Sequence, residues 1–404
     1  MKKICLVVVG LYLQLLSAFS QPSDSSQYKP RRLRVDEINM VNCYYNQNGD
    51  HSAIIGDTGT QKLADYVTDL DVVFTKYNKK NNKVDLDIDV GIEYYTSSSS
   101  DSIDPKTVSS ASSHDIHFYP SVTRSVTNDR KGTEFDFGAS IGTESYYLSS
   151  GYTAGFSKTS KDKNRQFSIN AKCYLDIMKK ILPVELRTLE TGGLPEAPNY
   201  HDYPWVHRNS FSALFSLSQV MNKRWQLLFA TELAYQQGFL SLPFHRIYFD
   251  NGTEGIESLP SHRFKLPASI RSSYFLGDKF VIRSFYRFYI DDWGLNAHTI
   301  DNEVAYKVTP FFSVAPFYRF YIQNAINYFQ PYKVASPTEE YYSVDYDLSS
   351  FHSSFFGTGI RIAPPKGIFG DQRWNMIEIR YGHYIRSNDF HADVISMNLK
   401  FGGW

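Results

Sequence analysis

The sequence predicts an all-β protein, a transmembrane antiparallel up-and-down β-barrel of about 16 strands within a range of about 14 to 18. Residues 84–94 alternate apolar side chains with Asp85, Asp87, Asp89, Glu93 and one glycine, a period that a strand produces and a helix does not. Short turns and often long loops alternate along the chain. The composition is 16% aromatic with a negative mean hydropathy, as expected for a barrel with a polar lumen and aromatic girdles.

The chain begins like an exported protein. A Lys-Lys pair follows the first Met, and an apolar run then extends to Phe19. Ala18 and Ser20 supply the small residues of a cleavage site, which predicts a secretory signal peptide over residues 1–20. An uncleaved membrane anchor is the alternative, but the apolar run is shorter than the roughly 20 residues that a spanning helix needs.

One domain is expected after the signal peptide. Residues 21–34 are polar and predict a short periplasmic tail, and residues 35–404 show no linker or composition shift that would divide a single outer-membrane barrel. Cys43 and Cys173 are the cysteines that remain after cleavage. They could pair, but two cysteines do not make a disulfide scaffold.

Clear two-residue periods mark the strands of the first half of the barrel. In residues 133–148, Phe135 and Phe137 alternate with Glu134 and Asp136. Clusters of Asn, Asp and Lys predict tight turns between strands, and a Ser- and Asp-rich stretch predicts a longer loop at 97–115. These strands are expected near 35–46, 64–77, 83–96, 116–127, 133–148, 151–159 and 165–178.

Long loops separate strand pairs in the second half. They are expected at 179–208, 237–262 and 324–350. The last strand alternates Ile395, Met397, Leu399 and Phe401 with polar residues and resembles the terminal strand that barrel-assembly machinery recognises. The strands are expected near 209–220, 224–236, 263–275, 279–290, 297–308, 311–323, 351–363, 373–386 and from 391 to the end.

This alternation of connections is typical of an outer-membrane barrel with short periplasmic turns, longer outer loops and both termini inside. An even strand number satisfies all three conditions. The alternative is an exported soluble sandwich or solenoid, which would not explain the alternating connection lengths.

The polar phase of the strands predicts a charged lumen. Charge on the lipid face costs about 2–4 kcal/mol for Arg or Lys at mid-membrane, so charged residues should face inward. The candidate lumen-lining residues are Asp85, Asp87, Asp89, Glu93, Arg283, Arg287 and Arg319. Acidic and basic walls would form a selectivity zone; the alternative is an ionic network that fills and stiffens a closed barrel.

Other sites are less favoured. Asp101, Asp104, His114, Asp115 and His117 could form a surface Ca²⁺ site, but a solvated loop is the preferred interpretation. The sequence predicts no metal, cofactor or catalytic residue. Lys plus Arg balances Asp plus Glu at 42 each, which argues against a nucleic-acid partner.

Several ordered blocks carry a resemblance to a known family. They are the stretches 237–249, 289–299 and 316–323, together with Tyr44-Tyr45 and the run 56–63. With these blocks the chain resembles a family of uncharacterised outer-membrane β-barrel proteins of Gram-negative bacteria, catalogued as a domain of unknown function, over nearly the whole mature chain. The resemblance implies an outer-membrane location without an assigned reaction.

The same blocks supply candidate residues for the barrel mouth, which could equally be structural. These are His245, Arg246, Asp291, Asp292, Trp293 and His298. Some members of the family are encoded near a small lipoprotein, thioredoxin-like proteins and an extracytoplasmic flavin transferase, which implies a periplasmic redox or lipoprotein partner. Outer-membrane lipid and the barrel-assembly machinery are the other expected partners.

The expected function is therefore a channel or docking component for an exported small-molecule or envelope redox system. Two alternatives come from other classes. One is a membrane-embedded hydrolase with its site at the rim, which would make the protein an enzyme. The other is a structural barrel that presents its outer loops to a partner.

Overall fold

The computed structural model describes residues 31–57, 59–96, 114–183, 186 and 203–402. The predicted signal peptide and most of the predicted tail lie outside these residues. Sixteen strands form one closed antiparallel barrel, in which each strand pairs with its neighbours along the chain and the first barrel strand pairs with the last. The predicted fold class and the estimate of about 16 strands are confirmed.

The barrel strands lie close to their predicted positions. They are β1 (Arg34–Gly49), β2 (Leu63–Tyr77), β3 (Lys83–Thr96), β4 (His114–Asn128), β5 (Thr133–Thr143), β6 (Tyr147–Thr159), β7 (Arg165–Lys179), β8 (Trp205–Asn222), β9 (Trp225–Gly238), β12 (His262–Leu276), β13 (Phe280–Asp291), β14 (Asn296–Thr309), β15 (Phe312–Gln323), β16 (Phe351–Ile362), β17 (Trp374–Arg386) and β18 (Phe390–Gly402). A small hairpin of β10 (Arg246–Tyr248) and β11 (Glu254–Ile256) lies between β9 and β12 and was not anticipated from the sequence.

One turn lies elsewhere than predicted. The sequence placed the reversal after residue 148, but the chain turns at 144–146, where the N–H of Glu144 donates to the carbonyl of Tyr147 at 2.8 Å. Ser145 donates its hydroxyl to Asp115 at 2.7 Å, and Tyr146 is buried in a cluster with Met178. These tertiary contacts fix an earlier turn than the alternation alone indicates.

The two ends of the barrel differ in their connections. At one end, here called the loop end, lie the described segments 50–57, 59–62, 239–261 and 324–350, together with the end of β3, the start of β4, the end of β7 and the start of β8. At the other, the turn end, the strands join through short turns, and only the segment 363–373 is longer. Left-handed backbone at Asn81 (φ 60°) and Gly132 (φ 60°) allows two of these turns to close tightly.

The outer wall carries a belt of exposed apolar side chains. On β5, Phe137 is 65% and Ile141 54% exposed, while the alternate residues Asp136 and Ser140 face the lumen. Tyr152, Phe229 and Ile379 continue the belt on other strands. So large a contiguous apolar surface is typical of a barrel wall in contact with lipid.

The two cysteines lie on different faces. Cys43 pairs in register with Val67 of β2 and Ser396 of β18, whereas Cys173 lies opposite the outward-facing Tyr152 and Phe211. Both thiols are free.

No α-helix in the described part of the chain combines the length and apolar character required to cross a membrane, a finding that leaves open a crossing by strands.

The belt generates a test of which face meets lipid. Phe137→Arg places a charge on the belt. It should destabilise the barrel in bilayers and so reduce its free energy of unfolding by about 2–4 kcal/mol. Ser140→Arg on the same strand points into a lumen cavity and should cost far less. Urea titrations in lipid vesicles measure both, and equal losses for the two variants would contradict the assigned faces.

Candidate functional site

One wall of the lumen is acidic. Strands β2 and β3 are paired so that Asp71 lies directly opposite Asp89. The predicted residues Asp85, Asp87, Asp89 and Glu93 share one face of β3. The adjacent face of β2 adds Asp65, Asp69 and Asp71, which sequence reasoning missed although they too alternate with an outward set that includes Leu70, Val72 and Phe74.

Few cations neutralise this acidic wall. Asp85 accepts from the Thr75 hydroxyl at 2.6 Å and lies 3.0 Å from Lys83 Nζ. Glu93 Oε2 lies 3.4 Å from His117 Nδ1. Among the described residues, the remaining carboxylates of the wall have no ion pair with Lys or Arg.

The facing wall, on β12 to β17, carries arginines in cross-strand rows. Arg283 lies opposite Glu303 and forms an ion pair with it. Glu303 also accepts from Arg380 at 2.6 Å, and Arg319 binds Asp301 at 2.8 Å. This wall therefore combines ion pairs with a surplus of guanidinium groups.

Aromatic rings and glycines form the surface under these arginines. The Arg380 guanidinium lies 5.1 Å from the Phe317 ring centroid, and Arg319 lies 5.8 Å from that of Phe355. Both distances suit a cation–π contact. Gly357 and Gly382 are paired beneath the two rings. A Cβ on Gly382 would meet Phe355 at 2.4 Å, so glycine makes room for the rings.

The basic wall borders a lumen cavity, here called the larger cavity because the second cavity described below is smaller. The volume of the larger cavity is about 910 Å³, and its lining includes the arginines 271, 283, 287, 319, 380 and 386 together with Asp301, Glu303 and Asp347. The predicted residues Arg283, Arg287 and Arg319 all lie here. Sequence reasoning missed Arg271, Arg380 and Arg386, although Glu378, Arg380 and Arg386 occupy one phase of β17.

A second cavity lies against the acidic side of the barrel. Its volume is about 550 Å³. Asp89 and Asp176 line it, with hydroxyl groups from residues such as Ser149, Thr153 and Tyr174. The two cavities thus offer different chemistry, one rich in guanidinium groups and one rich in carboxyl and hydroxyl groups.

The loop end is closed in part by a packed cap, formed by residues 50–57, 239–261 and 324–350. Ala53, Ile247 and Val344, one from each segment, share a buried apolar cluster. Backbone bonds join the last two segments, with Ser258 and Tyr342 exchanging N–H···O=C bonds of 3.1 and 2.7 Å. The cap is a folded unit rather than a set of independent loops.

The cap is also fastened to the lumen wall. Asp347 reaches down to Arg386 on β17, with 2.6 Å between Oδ1 and Nη1. The Arg386 guanidinium lies between the rings of Phe351 and Phe390, at 4.3 and 4.5 Å. Gln323 on β15 adds a bond to the Asp347 carbonyl at 3.0 Å. The floor of the cap therefore forms the ceiling of the larger cavity.

The block around Asp291 at the barrel mouth has a structural role. Asp291 is buried and accepts from Arg263, from Tyr289 at 2.8 Å and from the N–H groups of Trp293 and Leu295 at 3.0 Å. Trp293 is 3% exposed, and its ring faces the Arg263 guanidinium at 4.3 Å. These contacts fasten the turn between β13 and β14 to β12.

The remaining mouth candidates lie in different places. Arg246 donates to the carbonyl of Ile54 inside the cap. Asp292 accepts from the N–H of Phe264 at 3.0 Å. His298 faces outward near the loop end of β14, bonded to Tyr286 at 2.9 Å, so it belongs to the outer wall rather than to the mouth.

His245 contributes to a buried polar cluster inside the cap. Its Nδ1 lies 3.6 Å from Glu257 Oε1. Glu257 accepts from the Ser343 hydroxyl at 2.5 Å and from the N–H of Leu242 at 2.7 Å. The carboxylate, not the imidazole, contacts the serine, so the order differs from that of a nucleophile–base–acid triad.

The charges of His245 and Glu257 depend on pH. Burial opposes protonation of His245, but the Glu257 carboxylate, assisted by Asp345 and Asp347, outweighs burial and raises the pKa of His245. Burial likewise opposes ionisation of Glu257, but His245, Ser343 and the Leu242 N–H together lower the pKa of Glu257. The ionic form of the pair therefore stabilises the cap.

The proposed loop metal site is only partly described. Asp101 and Asp104 lie outside the described residues. Asp115 is buried against Ser145, and His117 contacts Glu93. Within residues 31–57, 59–96, 114–183, 186 and 203–402, no group of three or more His, Cys, Asp or Glu side chains is arranged to hold a metal ion.

The cap generates a pH prediction. Because the pKa of His245 is raised in the folded protein, protonated His245 stabilises the cap at pH values below the ordinary histidine pKa, and this stabilisation is lost as the pH rises through the raised pKa. Because the pKa of Glu257 is lowered, ionised Glu257 stabilises the cap at pH values above the ordinary glutamate pKa. Both contributions are complete between about pH 4.5 and about pH 6.5. After correction for intrinsic exchange, amide-exchange protection of residues 241–259 should therefore fall as the pH rises above about 6.5 and through the raised pKa of His245.

His245→Gln removes the titrating ring and should flatten this pH dependence, and residues 280–291 of the barrel serve as the internal control. If amide-exchange protection depends on pH in the same way in the wild-type protein and in His245→Gln, the His245–Glu257 pair does not cause the pH dependence.

Comparison with known proteins places the chain in a family without a described activity. A family model described as a protein of unknown function (DUF3570) matches residues 121–369. No curated protein matches the sequence.

Solved structures with a similar course of the chain share little sequence. A BenF-like porin from Pseudomonas fluorescens Pf-5 is 9% identical, with 93% of this chain and 100% of that chain covered and a TM-score of 0.44. A bacterial polysaccharide outer membrane secretin is 10% identical, with 90% and 98% covered and a TM-score of 0.45. OpdK of Pseudomonas aeruginosa, solved with vanillate, is 7% identical, with 93% and 99% covered and a TM-score of 0.42. Since the family model spans more than half of the sequence, the chain belongs to the DUF3570 family of proteins of unknown function.

Proposed function

We propose that this barrel is an outer-membrane conduit for small solutes, and that its charged lumen selects among them. The observation that carries the proposal is the division of charge around the lumen. Carboxylates occupy β2 and β3, whereas arginines line the larger cavity on β12 to β17. If the charges served only to stiffen the barrel through ion pairs, acidic and basic side chains would be mixed around the whole lumen, since each ion pair needs one of each.

The apolar belt and the lumen cavities support the same proposal. The belt suits lipid, and cavities of about 910 and 550 Å³ lie inside the wall. Opposed walls of unlike charge set up a field across the lumen, which focuses anions along one side and cations along the other. The cap, which is fastened to the wall through Asp347 and Arg386, would then control entry at the loop end.

A docking role is the second candidate, and one feature of the turn end favours it. Phe369, in the longest turn-end connection, is 94% exposed and holds a left-handed φ of 53°. Such backbone is costly for a bulky residue. Its ring is braced by Trp374 at 5.8 Å. A periplasmic redox protein or lipoprotein could bind this exposed ring.

Ion selectivity tests the conduit. Reconstituted wild-type protein should give discrete current steps in planar bilayers. Arg319→Glu should shift the reversal potential in a salt gradient toward cation selectivity, because it reverses a charge beside the larger cavity. Lys161→Glu makes the same charge change in a turn-end loop and should shift it much less. Folded protein without current steps, or equal shifts in the two variants, would contradict the proposal.

Site-specific photo-crosslinking tests docking. A benzophenone amino acid at position 369 should give an adduct with a periplasmic protein in intact cells, and the same group at Lys366 should give less. Adducts with lipid alone at position 369 would refute docking through this loop and leave the conduit unaffected.

A further inference from the structure

Two arginines of the larger cavity lack acidic partners. Four of its six arginines already face its carboxylates: Arg283 and Arg380 share Glu303, Arg319 binds Asp301, and Arg386 binds Asp347. Arg271 and Arg287 form no hydrogen bond or ion pair with any described residue. Arg380 also lies 3.3 Å from Glu378, so these four arginines have four carboxylates, and the unbalanced positive charge is on Arg271 and Arg287.

The register makes these two arginines diagonal neighbours on one face of the sheet. Arg271 on β12 lies opposite Phe285 of β13, and Arg287 is two residues farther along β13 on the same face. Diagonal neighbours of this kind are separated by about 7–8 Å at the backbone, within reach of long side chains. The Arg271 guanidinium lies 5.4 Å from the Phe285 ring centroid, on the side of the strand pair that lines the cavity.

A buried hydroxyl completes the cluster. Thr299 on β14 lies directly opposite Arg287 and lines the same cavity. It is 4% exposed, and its Oγ1 has no hydrogen-bond partner. A buried hydroxyl without a partner is unfavourable, as is a pair of like charges without a counter-ion.

We propose that Arg271, Arg287 and Thr299 form a binding site for the carboxylate or phosphate group of a small organic anion. This inference rests on the proposed conduit and names the class of solute that it selects. Planar guanidinium groups donate paired hydrogen bonds to two oxygens of such a group. The Thr299 hydroxyl donates to another lone pair. Phe285 offers an apolar surface to the rest of the molecule.

Isothermal titration calorimetry of the folded full-length barrel in detergent tests the site directly. Butyrate, butyl phosphate and 1-butanol share one alkyl chain and differ in the head group. The site predicts binding of at least one of the two anions, and their relative affinities identify the preferred head group. 1-Butanol should not bind. Equal affinity for 1-butanol, or binding of neither anion, would overturn the proposal.

Matched variants locate the binding. Arg271→Gln and Arg287→Gln should each weaken anion binding about tenfold or more, because each removes charged hydrogen bonds. Thr299→Val keeps the side-chain shape and should weaken it by a smaller factor. Lys172→Gln removes an equal charge from a lumen-facing position on β7 and should leave the affinity unchanged.

Unchanged affinity in the Arg271→Gln, Arg287→Gln double variant would place the anion elsewhere and overturn the site. If the arginine variants do not fold, Thr299→Val decides, and wild-type affinity in that variant counts against the proposal. Calorimetry requires no ion current. Current steps without anion binding would therefore refute the site alone, and binding without current steps would refute the conduit alone.

Discussion

In a lipid environment, backbone N–H and C=O groups must bond within the protein, and a sheet meets this condition only when it has no free edge. Here the closing contact is the pairing of β1 with β18, which runs from Glu37 opposite Gly402 to Gly49 opposite Phe390. Its inner side is fastened by an ion pair of 2.5 Å between Lys400 and Glu37. Its outer side is packed by Ile38 and Leu399.

Closure turns the two faces of each strand into two environments. The outer face can then be apolar over its whole circumference, and the lumen can hold charges that would be unstable in lipid. In this protein the charged side chains are distributed unevenly around the lumen. Carboxylates gather on β2 and β3, while arginines line β12 to β17. Two of them, Arg319 and Arg380, rest on Phe355 and Phe317 above the paired glycines 357 and 382. The cap of three loops adds a lid whose Asp347 is part of the cavity ceiling.

Much of this arrangement could be predicted from the sequence, because strand alternation is local. The phase of β13 and β15 assigns Arg283, Arg287 and Arg319 to the interior without knowledge of any neighbour. The same rule would have found Arg271, Arg380 and the aspartates of β2. The cap could not be predicted, because Ala53, Ile247 and Val344 lie far apart in sequence and meet only when the barrel closes.

The alternation of inward and outward residues along a strand also explains candidate residues that have no role in the proposed function. His298 falls on the outward phase of β14, together with Ile300 and Val304, and so on the outer wall. Asp291 and Trp293 stand out in the sequence because a sharp connection between β13 and β14 needs a buried carboxylate and a ring beside Arg263. Their distinctive pattern reflects a structural requirement of the loop end.

A cysteine scan along β5 measures the separation of the two faces most directly. Single cysteines at positions 134–141, with Cys43 and Cys173 replaced by serine, would be exposed to a charged, water-soluble thiol reagent after reconstitution into bilayers. Labelling should alternate, with positions 134, 136, 138 and 140 reacting from the lumen and positions 135, 137, 139 and 141 protected by lipid. Uniform labelling along the strand, or labelling of the odd positions alone, would contradict a lipid-covered belt around a water-filled interior.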